Sequence, residues 1–312
     1  MRANIFTRAN TLSGAYRRIM SKPVELLEKW LQRQLPAQAG AWLNEQRSAL
    51  QADPSDRNLH IALGLVPRKL GKDDLALEPG DLAAAEDARA GWEPSRWSVD
   101  QAARILILCT LTGRNHDFAT LFSSLCQTAD VAEAIALYSG LPLYDDPETL
   151  EEQVAEGLRT NMRAIFEAVA HNNPYPREQF DENRWNHMVL KALFIDSTLA
   201  PIQGLDQRAN PELARIMRDY AHERWAAGRP VTPELWRCVG PFADSAEALA
   251  DLKRVADSPV DVEQQAAALA LSASPAEQAK SMLAAMNPSL SEAIASAALT
   301  WNSVSEKLQR PA

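Results

Sequence analysis

The 312-residue chain has 46 % hydrophobic and 23 % charged side chains, the balance of a globular protein with a real core rather than of a disordered one. Its net charge of -9 excludes a general nucleic-acid binder, which would present a basic surface. No apolar run approaches the ~20 residues of a membrane span, and the arginine-dotted N-terminus has no continuous apolar stretch to act as a signal peptide.

Helical periodicity covers nearly the whole chain and two-residue alternation is almost absent, which predicts an all-α fold of antiparallel helix pairs. Helices are expected over 14–20, 24–35 and 41–50, with Leu26, Leu27, Trp30 and Leu31 on one stripe. Pro23 and Pro36 stand at helix starts, where a missing N–H is harmless. From 53 to 79 the chain is looser, with one short helix over 54–65 and an exposed KLGKDD turn. After a junction at Trp92–Ser98, Ser98 and Gln101 make a capping box for an apolar helix over 99–111, which Gly113 ends. Further helices are expected over 117–127 and 130–139, and Leu141–Tyr144 reads as extended. Residues 145–156 hold six acids and no base at the start of a long helix reaching His171. Such acids oppose the helix dipole; they form either a solvated helix start or a partner or cation surface.

Pro174 and Pro176 break the chain before its most distinctive stretch, 185–242. Three of the eight tryptophans lie there, Trp185, Trp225 and Trp236, with two of the five histidines, His187 and His222. Over 183–243 eight Lys/Arg stand against six Asp/Glu, a local +2 inside an acidic chain. The helix from Trp185 to Ile195 is apolar nearly all round and should be buried. Its polar exceptions, His187 and Lys191, are four apart on one strip that faces either solvent or an anion. Residues 196–210 form a long connector in which Asp206 and Arg208 pin the loop or contact a ligand. Asn210-Pro-Glu-Leu and Thr232-Pro-Glu-Leu repeat one helix-start device of cap, proline and acid. On the helix over 211–226, Asp219 lies three residues before His222 and could fix its tautomer, though solvated helices carry the same pattern. After Phe242 come Ala-rich helical hairpins over 245–256, 260–272, 276–286 and 289–301, whose steady spacing suggests a HEAT-like solenoid.

Motifs for chemistry are sparse. The chain has no HExxH, Walker loop or GxGxxG, and no Cys/His spacing for a metal, so no cofactor, resident metal or catalytic residue is expected. His116-Asp117 is a bare HD dipeptide, better explained by an acid at a helix start. Cys109, Cys126 and Cys238 form no CxxC pair and read as buried thiols in a reducing cytoplasm.

The run from Asn186 through Leu205-Asp206-Gln207-Arg208-Ala209-Asn210 to Tyr220-Ala221-His222-Glu223-Arg224-Trp225 resembles the signature region of the EboA family of metabolite traffic proteins. The resemblance implies an EboA-like domain over 1–243, with 244–312 packed on as a continuation. It further implies a bacterial cytoplasmic accessory protein of a secondary-metabolite gene cluster, supporting traffic of a metabolite or precursor toward the periplasm. The expected partners are that small molecule or other proteins of the cluster, with no nucleic acid and no membrane span. The residues expected to contact it are Trp185, His187, Lys191, Asp206, Arg208, Asp219, His222, Arg224, Trp225 and Trp236. Two alternatives stand beside this reading. One is a metal-assisted hydrolase or phosphate-ester enzyme using His187, His222 and Asp219. The other is a scaffold that binds a partner protein through the C-terminal hairpins.

Overall fold

The structure, a computed structural model, describes residues 22–112 and 117–309. The helix expected over 14–20, the stop at Gly113 and His116 lie outside the described residues. The described residues are all-α and contain no strand; Asp74 and Ser98 make an isolated antiparallel bridge. The chain divides into two compact units at Phe180 and Asp181.

In the first unit, α1 (22–34), α2 (Ala37–Ala52), α3 (Asp56–Leu70) and α4 (Pro79–Ala88) precede the core helix α5 (Val99–Cys109). Ser98 caps α5 by accepting from Gln101 N at 3.4 Å. Helix α5 is buried on nearly every face and packs against α2, α3 and α7 (Val131–Ser139). Two charges sit inside this apolar wall: Arg104 and Asp100 are 3 % and 5 % exposed and bond to each other at 2.7 Å. Arg104 also explains why α3 runs on beyond the expected 54–65, straight through Pro67. Proline cannot donate to the carbonyl four residues back; that carbonyl, on Leu63, instead accepts Arg104 Nε at 3.2 Å.

The rest of this unit is α6 (Phe118–Thr128), α8 (Glu151–Arg159), α9 (Arg163–Ala170) and α10 (Tyr175–Gln179). Asp117 caps α6 as its position predicts, and Asp130 caps α7. Two expectations fail here. Leu141–Leu143 is a 3₁₀ turn, not extended. The single helix expected over 145–171 is a 3₁₀ turn at Pro147–Leu150 followed by α8 and α9. Its break lies at Thr160, whose hydroxyl accepts from Met162 N at 3.1 Å and so offers the backbone a partner outside the helix.

The second unit begins with α11 (Glu182–Phe194) and α12 (Pro211–Ala226). Trp185, Met188, Val189, Ala192 and Leu193 form the buried stripe of α11 that the spacing predicts. The helix is not buried all round, however: Phe194 is 62 % exposed and His187 faces solvent. Asn210 caps α12 by accepting from Leu213 N at 2.8 Å. Thr232 makes no such cap; Pro233–Leu235 is a 3₁₀ turn leading into α13 (Trp236–Val239) and a further 3₁₀ turn at Gly240–Phe242.

The Ala-rich part forms α14 (Ala246–Ala256), α15 (Asp261–Ala273), α16 (Glu277–Ala284), α17 (Pro288–Ala295) and α18 (Trp301–Gln309). Trp301 opens a helix here, whereas the spacing put it at the end of one. In a solenoid each repeat touches its sequence neighbours; α15 touches α14 and α16 but also α13, α17 and α18. Alanines permit this crowding, and Ala266, Ala267, Ala268 and Ala270 are each fully buried. At the tightest point, a Cβ on Gly240 would lie 2.7 Å from the backbone of Ala270. Gly240→Ala should therefore destabilise the chain by about 1–3 kcal/mol, the usual cost of overpacking, read as a lowered midpoint in urea.

Candidate functional site

The connector over 195–210 is not a free loop. Glu234, 4 % exposed, accepts Leu199 N at 2.9 Å on one carboxylate oxygen and Ala200 N at 3.0 Å on the other. Asn186, 2 % exposed, exchanges two amide hydrogen bonds with Asn210, at 2.8 and 3.1 Å. Arg237 donates two bonds to Asp206, at 2.6 and 2.7 Å. Three polar side chains from α11, the Pro233–Leu235 turn and α13 thus hold the connector along its length.

The residues singled out in the sequence fall into separate groups. Trp185 is fully buried, and the Arg208 guanidinium lies 4.7 Å from its ring centroid. Desolvation lowers the Arg208 pKa, an effect opposed by the carboxylates of Asp181 and Glu182. Lys191 is half-buried and desolvation lowers its pKa too. Asp219 is turned to Arg215 at 2.6 Å, not to His222. His222 instead meets Asp251 of α14 at 2.7 Å, and Arg218 binds the other oxygen of the same carboxylate at 2.7 Å. The Asp219 pattern is thus the ordinary one of a solvated helix, and the partner of His222 comes from another helix. Among the described residues no group of three or more His, Cys, Asp or Glu could hold a metal, and the trio His187, His222 and Asp219 is not assembled.

The aromatic members make a stack. The Trp225 ring lies 5.7 Å from His222 and 5.6 Å from Trp236, tilted by 28° and 22°, with Arg254 4.1 Å from a Trp225 ring centroid. Trp236 is 1 % exposed, so this stack joins α12, α13 and α14 rather than offering an open aromatic face.

One predicted residue borders a cavity. A cavity of about 450 Å³ in the second unit is bounded by Leu193, the connector at 196–198, Tyr220 and Arg224 of α12, and the segment 230–234. Val260, Val262, Glu263 and Leu308 close it from the Ala-rich side. Arg224 is tethered through Nε to the Pro230 carbonyl at 3.0 Å, and its terminal nitrogens have no hydrogen bond or ion pair among the described residues. The guanidinium lies 6.0 Å from the Tyr220 ring, whose hydroxyl donates to the Leu193 carbonyl at 3.2 Å. Desolvation raises the Tyr220 pKa, so the phenol stays protonated. Sequence reasoning named Tyr220 only within the family-like run and Glu234 only as a helix-start acid. It had no signal at all for Asp251, 29 residues from its histidine.

The three cysteines carry no reactive thiolate. Cys238 is buried and the other two are partly so; desolvation pushes all three from 9.0 up to about 12. The native state therefore keeps these protons over a range where the unfolded chain releases them. Stability from this source is complete below pH 9.0 and falls as pH rises toward about 12. A series of urea midpoints across that window should show the drop, and a variant with all three cysteines changed to alanine should show a smaller one, keeping the fall above pH 10.0 that the desolvated Tyr138, Tyr144 and Tyr220 contribute. Glu234→Ala should cost about 2–4 kcal/mol, because it strands one buried and one part-buried backbone donor. Chemical denaturation of the variant, with amide exchange at Leu199 and Ala200, checks both the size and the place of the loss.

No curated protein and no solved structure matches this chain. A family model does: the one described as Metabolite traffic protein EboA matches residues 23–240, more than half of the chain. The match takes in Tyr220, Arg224 and Glu234 and ends before α14, so Val260, Val262, Glu263 and Leu308 come from the part beyond it. The chain belongs to the EboA family of metabolite traffic proteins.

Proposed function

We propose that the chain is an accessory binding protein, holding a small metabolite or its precursor in the cavity at Arg224 during traffic toward the periplasm. In this reading it works in the cytoplasm and hands its cargo to other proteins of the same gene cluster. The observation that carries the reading is the cavity itself. Its volume of about 450 Å³ falls within the ~300–1,000 Å³ typical of small-molecule sites, and most of the surface it exposes is apolar, with Asp196, Glu234 and Glu263 as the acids that border it beside Arg224. Leu193, Val231, Val260, Val262 and Leu308 would cover the apolar body of a ligand. The Arg224 fork, tethered at Nε, would take a carboxylate or phosphate oxygen on its terminal nitrogens, and the Tyr220 ring would shield that contact from water. Arg224 is thus the member of the expected ligand set on which this proposal rests. The buried Trp185 and Trp236 and the paired Asp206 serve the frame around it.

Native mass spectrometry of the chain purified from its own host tests this. Wild type should carry a bound small molecule. Arg224→Ala should reduce its occupancy by about ten- to a hundredfold in affinity, the usual loss when a hydrogen bond to a charged group is removed. Val260→Trp, which fills the mouth from a half-exposed position, should lower it as well. A bare wild-type chain, or equal occupancy in both variants, would sink the proposal.

A further inference from the structure

The first unit holds a second cleft, of about 180 Å³, that plays no part in the reading above. Its lining is of the opposite kind. Glu93, Arg96, Trp97, Gln101, Glu167 and Asn172 all border it. Neither the Gln101 nor the Asn172 amide has a hydrogen-bond partner among the described residues, and the same is true of the Arg96 guanidinium. Glu167 is paired with Arg163 at 3.0 Å, Glu93 stands against Arg96 in formal charge and His171 is the other titratable side chain of the lining, which therefore has no strong sign of its own.

The wall that carries Asn172 is braced. Its neighbour Asn173 is 3 % exposed and fully bonded: its amide donates to the Tyr138 and Ala168 carbonyls at 3.1 Å each, and its oxygen accepts Tyr175 N at 3.0 Å. Asn172 itself sits at φ 50°, a left-handed conformation that asparagine tolerates better than most residues. Across the cleft, Gln101 is set by the Ser98 cap at the start of α5.

A space of this size has room for several waters. A ligand that displaces them must supply hydrogen bonds of both senses to planar amides, a guanidinium and carboxylates. It must also present an apolar side to Trp97, Ile135 and Ala168. A charged ligand finds no net counter-charge here. An apolar one would strand the amides. A ring bearing several hydroxyls has donors and acceptors around its rim and C–H groups on its faces. We propose that the cleft bordered by Trp97, Gln101 and Asn172 binds a neutral polyhydroxylated ring of about six carbons, such as a sugar or cyclitol moiety.

Saturation-transfer NMR on the full chain, with D-glucose and myo-inositol as probes, tests the proposal. Wild type should transfer saturation to the ring protons of at least one polyol. Gln101→Leu and Asn172→Gly, each shown to be folded by circular dichroism, should bind that probe about fivefold more weakly, the loss expected for one ordinary hydrogen bond. Glycine suits the left-handed backbone at 172, so the second variant keeps the test alive if the first does not fold. Arg224→Ala should leave the transfer unchanged, which separates this cleft from the cavity of the second unit. Absence of transfer to either polyol by wild type, or undiminished transfer in both folded cleft variants, would overturn it.

Discussion

The buried carboxylate of Glu234 is the constraint on which the second unit depends. An anion taken out of water costs several kcal/mol unless its oxygens are bonded, and here both are, by two successive backbone N–H groups of the connector. The turn at Pro233–Leu235 and the connector must therefore stay together for either to be stable. The Asn186–Asn210 amide pair and the Arg237–Asp206 fork repeat the arrangement farther along the connector. Because residues 196–198 and 230–234 both border the cavity, the bonds that order the connector also give the cavity its shape. An open space between aliphatic walls would otherwise tend to collapse.

Local signals in the sequence carried most of the helices. Caps at Ser98, Asp117 and Asn210 act where the spacing put them, because a cap and its recipient N–H are three residues apart. The apolar stripe of α11 was legible for the same reason. What failed depends on partners distant in the chain. Asp219 was the visible neighbour of His222, yet the bond goes to Asp251, and periodicity along one helix says nothing about a second. The locally basic balance over 183–243 was likewise misleading as a sign of exposed charge. Arg215, Arg218 and Arg237 are bound to carboxylates and Arg208 is held over a buried tryptophan, while Arg224 borders the cavity. Concentrated tryptophan marked a well-packed frame as much as a ligand site.

In the first unit an analogous exchange is made around Pro67. A proline inside α3 and an arginine buried in α5 would each be a defect alone. Together the arginine bonds the carbonyl that the proline leaves unused, while Asp100 balances its charge. The break at Thr160 is a comparable local choice, a hydroxyl competing with the helix for a backbone N–H. Neither could be read from apolar periodicity, which tracks side-chain faces and is blind to individual carbonyls and amides.

The stack that joins α12, α13 and α14 has an optical side. Two indoles whose centroids are 5.6 Å apart at a 22° tilt couple their electronic transitions, and such coupling depends steeply on separation and angle. The Trp225–Trp236 pair is thus an intrinsic chiroptical gauge of how α12 sits on α13. The Arg254 cation over Trp225 and the imidazole of His222 beside it add a sensitivity to local charge. Since α12 also carries Arg224 and Tyr220, a shift of that helix on filling or emptying the cavity would register in the near-ultraviolet spectrum without any label.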